Sequence, residues 1–117
     1  MRPPSVMAAV IVSVLSACAP ASTQIGKGPR PANANEVVIS GYKFVPHTLT
    51  VPVGTTVTWV NHDIAHHTVT RRDWADEPFD SGKLSYEGVF SFTFRTAGNY
   101  DYLCVPHSGM QGTIVVQ

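Results

Sequence analysis

Residues 98–117 read GNYDYLCVPHSGMQGTIVVQ. Tyr100, Tyr102 and Cys104 alternate with Asp101 and Leu103, the period-two pattern of a strand with one buried face. GTIVVQ, residues 112–117, is a second run of β-forming residues. Between the two, Pro106 and Gly109 break any helix and mark a turn. Cys104, His107 and Met110 stand three apart in that turn. A turn can aim side chains at that spacing towards one centre, whereas a strand cannot. Thiolate and thioether are soft donors and imidazole is borderline, a mixture that favours copper. A structural zinc site draws on Cys and His rather than Met.

The same texture extends back to Glu36. EVVIS, HTLTVPV, TTVTWVN, HTVT and VFSFTF are short, rich in Val, Thr, Ile and Phe, and separated by Gly, Pro, Asn and Asp. Phe90, Phe92 and Phe94 share a face, as do Val57 and Trp59, with Ser or Thr between them. One face is buried and the other wetter, as in antiparallel sheets packed face to face. The expected fold is all-β: a Greek-key β-sandwich of about seven to eight strands over residues 36–117. Residues 71–88 are the least strand-like and are expected to be mostly loop, with at most a helical turn or an edge strand. Gly98 and Gly112 read as turn positions needing unusual backbone angles.

One Met, one His and one Cys leave the centre a strong ligand short. The other His-rich stretch, NHDIAHHTVT (residues 61–70), also runs from a loop into a strand, and the missing ligand is expected there. Two imidazoles and a thiolate in a trigonal set, with a long axial Met, is the arrangement of blue-copper electron-transfer sites. A zinc site built from Cys104, His107, His62 and His66 is the competing arrangement.

The N-terminal third is different. Arg2, the apolar run Val6–Leu15 and the small residues before Cys18 have the layout of a secretory signal over residues 1–17. The run is about ten residues, short of the roughly 20 that a bilayer core requires. Leu15-Ser16-Ala17-Cys18 also resembles the lipobox of bacterial lipoproteins, which implies lipidation of Cys18 and a membrane anchor; a plain cleaved signal is the alternative. Residues 19–35 are small, polar and rich in Pro and Gly, and 18–35 is read as a lipidated N-terminus and flexible linker. A flexible tether of that length spans roughly 20–25 Å. A Cys18–Cys104 disulfide is not expected, since each thiol has another use. Lys and Arg number 8 against 8 Asp and Glu, so no basic surplus recommends a nucleic-acid partner.

Four stretches together resemble the cupredoxin family, most nearly its amicyanin, pseudoazurin and plastocyanin members. They are FVPHTLTVPVGTTVTWVN (44–61), N-x5-H-T-V (61–69), FDSG (79–82) and G-x-Y-x-Y-x-C-x2-H-x2-M-x-G (98–112). The resemblance implies one type 1 copper held by His67, Cys104, His107 and Met110. It implies that Asn61 helps to hold the two ligand loops together by hydrogen bonds. The family's register against Asn61 favours His67 over its neighbour His66 as the ligand, and His66, in a position often occupied by Pro in relatives, is then expected to be exposed. The implied function is one-electron transfer without catalysis. A monomer, exported to a periplasm or cell surface and held to the outer membrane where two membranes exist, would meet transient redox partners such as a cytochrome or oxidoreductase. His107 would be the electron port, inside an apolar patch. Leu103 stands where plant plastocyanins have a Tyr on a docking route, so that route is not expected. Copper binding for storage or delivery is the alternative function.

Overall fold

β-Branched and aromatic residues at alternate positions form eight strands in a computed structural model that describes residues 30–73 and 77–117. They are β1 (Glu36–Ser40), β2 (Lys43–Val45), β3 (Thr48–Val51), β4 (Thr55–Asn61), β5 (Thr70–Arg71), β6 (Val89–Phe94), β7 (Gly98–Leu103) and β8 (Gln111–Val116). The signal segment 1–17, Cys18 and residues 19–29 of the linker lie outside the described residues. Two four-stranded sheets, ordered β2-β1-β4-β6 and β3-β8-β7-β5, make the sandwich. Just before β1, Asn35 already takes part, its carbonyl accepting from Thr58 N at 3.0 Å.

The sheets are mixed rather than purely antiparallel. β1 runs parallel to β4, with Ile39 opposite Asn61, and β3 runs parallel to β8. Both pairings join strands distant in sequence, so no local pattern announces them. Their consequence is positional. Parallel strands leave the sheet at the same end, so the turn after β1 emerges beside the loop after β4. His62 N donates to Ile39 O at 2.9 Å across that exit. Two further differences from the sequence reading are local. Lys43–Val45 is a separate three-residue strand, too short to show a period. Of HTVT, only Thr70 joins strand β5, while His67 makes an isolated bridge to Leu84.

The space between the sheets is filled by rings. Trp59 lies within 5.5–6.4 Å, centroid to centroid, of Phe79, Phe90, Phe94 and Tyr102. Removing such a ring costs about 3–5 kcal/mol, against a total stability of about 5–15 kcal/mol for a domain. Burial pushes the Tyr102 phenol well above its ordinary pKa. Phe79 enters this core from the 71–88 segment, which is mostly irregular and tied down by bridges at Leu84 and Asp80.

Gly112 corrects the expectation of an unusual backbone angle. It lies inside β8 opposite Tyr102, and a Cβ there would meet Tyr102 Cζ and OH at 2.5 Å. That ring is wedged between Phe44 and Trp59 and has nowhere to retreat. Gly112→Ala is therefore expected to destabilise the domain by about 1–3 kcal/mol, the usual cost of overpacking. The check is a lower urea midpoint at unchanged m value.

Candidate metal centre

β7 delivers Cys104 at its end, and β8 begins directly after Met110. The seven-residue turn between them, 104–110, is closed by Cys104 N donating to Met110 O at 3.1 Å. Inside it, Met110 N donates to His107 O at 2.8 Å. These two bonds turn His107 back over Cys104. Cys104 is fully buried, and Met110 is buried at the base of the turn. On the other sheet, β4 ends at Asn61, and the following loop brings His67 into the same place.

The result is a triangle of donor atoms. His67 Nδ1 and His107 Nδ1 are 3.2 Å apart, and each lies 3.6 Å from Cys104 Sγ. Bonds of about 2.0–2.1 Å from one ion to two donors, opened to tetrahedral or trigonal angles, separate those donors by about 3.3–3.7 Å. The triangle therefore has the size that a single ion bound to all three would require. Among the described residues, it is the cluster of three His, Cys, Asp or Glu donors that could hold a metal.

The hydrogen bonding behind the triangle agrees. His67 Nε2 is 2.8 Å from Asp63 Oδ2. Burial pushes the Asp63 carboxyl up, but the N–H groups of Tyr42 and Gly41 and the His67 imidazole outweigh it, and its pKa lies below the ordinary value. An ionised carboxylate only accepts, so Nε2 must carry the hydrogen. In the neutral ring, which has one N–H, Nδ1 then presents a bare lone pair to the triangle. A carboxylate behind a ligating histidine fixes its tautomer and orientation in this way.

The competing histidines are placed elsewhere. His66 is exposed while His67 is fully buried, as neighbours on an extended segment should be. His62 faces Glu87 at 3.1 Å, and His47 is exposed. The structure thus brings together His67, Cys104 and His107, with Met110 buried beside them, and leaves the His62/His66 alternative unassembled.

Asn61 is buried, as a residue organising the loop must be, but its hydrogen bonds go to other partners than the resemblance implied. Its Nδ2 donates to Ala65 O, Leu84 O and Ser85 O at 3.0–3.2 Å, and its Oδ1 accepts from Asp63 N at 2.9 Å. It fastens the His67 loop to residues 84–85, not to the Cys104 turn. Thr68 makes the link between the two donor loops. Its N–H donates to Cys104 Sγ at 3.4 Å, and its Oγ1 accepts from Val105 N at 2.8 Å. Hydrogen bonding to the sulfur tunes a copper–thiolate centre. Sequence reasoning missed Thr68 and Asp63. A carboxylate four residues before a candidate ligand was the one available hint.

Residues 32–117 match the family described as copper binding proteins, plastocyanin/azurin family. The chain belongs to that family. It is a cupredoxin, 33 % identical over 89 residues to amicyanin from Paracoccus versutus, covering 74 % of this chain and 67 % of that protein. It is 39 % identical over 84 residues to plastocyanin from Scenedesmus fuscus, covering 63 % and 86 %. A solved Cu(I) form of an amicyanin mutant superposes with a TM-score of 0.66 at 33 % identity, covering 80 % of this chain and 87 % of that one. The donor chemistry, the triangle and the family agree on one type 1 copper.

If Asp63 fixes the His67 ring, Asp63→Ala should weaken copper binding about 10–100-fold, the usual cost of losing such a partner. Competition against a chromophoric chelator measures this, with circular dichroism confirming that the sheets persist.

Proposed function

We propose that this cupredoxin is a small blue copper electron-transfer protein that works between extracytoplasmic redox partners. His67, Cys104, His107 and Met110 would hold the metal. The observation that carries this reading is the convergence of two Nδ1 atoms and one Sγ within 3.6 Å of one another. A copper ion held there supplies a one-electron Cu(II)/Cu(I) couple. The protein supplies rigidity. Each donor is fixed by a separate device: His67 by Asp63 and its bridge to Leu84, Cys104 by Thr68, His107 by its closed turn. Donors that cannot move leave little to rearrange when the charge changes. Four protein ligands also leave no open position for a substrate, which favours electron transfer over catalysis.

The route to solvent is His107. Of the three triangle residues it alone is not fully buried. Its edge lies in a shallow groove lined by Ala65, His66, Val105, Pro106 and Lys83. Val105 is 59 % exposed and nearby Ile64 89 %, an apolar rim suited to a brief encounter with a cytochrome or other redox protein. Cys18, if lipidated, would hold this monomer at the membrane through the linker.

Two experiments test the reading. The Cu(II) protein should be intensely coloured, with the small copper hyperfine splitting of a thiolate-bound site. His67→Ala should abolish the colour and His66→Ala should preserve it; the reverse would put the ligand at the wrong histidine. Separately, Cys18→Ala should move the protein from the membrane to the soluble fraction of its host. Unchanged fractionation would rule out the lipid anchor.

A further inference from the structure

Beside the two donor loops, a third segment reaches the site. β1 and β2 are joined through Gly41 and Tyr42, with Ser40 paired to Lys43. Both central residues have φ of 60°, the left-handed conformation that a two-residue hairpin of this type demands. Glycine adopts it freely, but an aromatic residue does so against steric resistance. Such strain persists only where the surroundings enforce it, and it concentrates at functional sites.

The enforcement comes from the site itself. Asp63 Oδ1 accepts from Gly41 N at 2.8 Å, and Oδ2 accepts from Tyr42 N at 2.9 Å. The same Oδ2 accepts from His67 Nε2 at 2.8 Å. One carboxylate therefore locks the strained turn and a ligand ring together. The turn then lays the Tyr42 ring against both imidazoles. Its centroid is 5.1 Å from that of His67 at 86° and 4.9 Å from that of His107 at 82°. The two imidazoles are themselves 5.0 Å apart, so three rings brace one another.

His107 has most need of the brace. His67 has Asp63 behind it, but among the described residues no side chain hydrogen-bonds His107 Nε2. Its turn has an exposed glycine at 109 and exposed Val105, Pro106 and Ser108. We infer that Tyr42 is a positioning residue of the copper centre: its ring, pinned by Asp63 through a strained turn, fixes the His107 imidazole and closes that side of the metal to water. This rests on His67 and His107 being ligands, as proposed above. The hydroxyl takes no part, because the contacts are made by the ring.

The test compares Tyr42→Phe and Tyr42→Gly with the unaltered protein. Glycine relieves the left-handed backbone, so the thermal midpoint of the metal-free Tyr42→Gly protein should hold steady or rise. Its site should loosen all the same. Azide added to the Cu(II) form should change the visible and electron paramagnetic resonance spectra, and copper retention against a chelator should fall about tenfold. In the metal-free protein, the His107 ring resonances should shift and sharpen as the ring begins to rotate. Tyr42→Phe should match the unaltered protein throughout. The inference is overturned if Tyr42→Gly stays blue, unresponsive to azide and equal in copper retention. It is also overturned if stability and site order fall together, since a merely structural tyrosine would do that. An unaltered protein without a blue band would instead sink the ligand assignment.

Discussion

Three electron-pair donors from opposite sheets must be held in near contact, and several unusual features of this domain serve that constraint. His67 Nδ1, His107 Nδ1 and Cys104 Sγ all present electron density to one small volume. Left alone, such groups would turn away from one another, and the fold prevents it. The ionised Asp63 assigns the His67 proton to the far nitrogen. Thr68 N donates to the sulfur, and the Cys104–Met110 backbone bond shuts the turn on His107.

The sandwich makes this affordable by separating stability from chemistry. The stabilising burial lies between the sheets, around Trp59 and its ring neighbours, while the donors sit where β4 and β7 run out. β7 links the two regions, since Tyr102 packs in the aromatic core and Cys104 follows on the same face. The mixed topology matters for the same reason. Because β1 and β4 run parallel, the Gly41–Tyr42 turn and the Asn61–His67 loop leave the same end of the same sheet. Asp63 can then reach both. Several local rules are broken there: a left-handed tyrosine, a fully buried histidine and a fully buried asparagine. Conflict between local preference and global fold is expected at working sites.

Much of this was legible in the chain. The alternation of Tyr100, Tyr102 and Cys104, and of Val57 and Trp59, marks strands and their buried faces directly, because side-chain direction has a period of two. The spacing of Cys104, His107 and Met110 shows the metal chemistry because one short turn carries it. What stayed hidden depends on contacts between distant segments. Asp63 bonds backbone groups 21 and 22 residues away, and Thr68 bonds the sulfur 36 residues away. The parallel pairings are equally non-local. Lys43–Val45 is too short to show a period. Gly112 looked like a turn residue because glycine usually is one; the true reason, a tyrosine ring in the next strand, needs the register of β7 against β8.

X-ray absorption at the copper edge, recorded on the Cu(II) and Cu(I) forms at neutral pH, bears most directly on the central claim of a rigid, pre-arranged donor triangle. One sulfur and two nitrogens at short range are expected in both states, with distances that hardly change on reduction. A spectrum lacking the short sulfur, or one that loses a nitrogen when the metal is reduced at neutral pH, would contradict it.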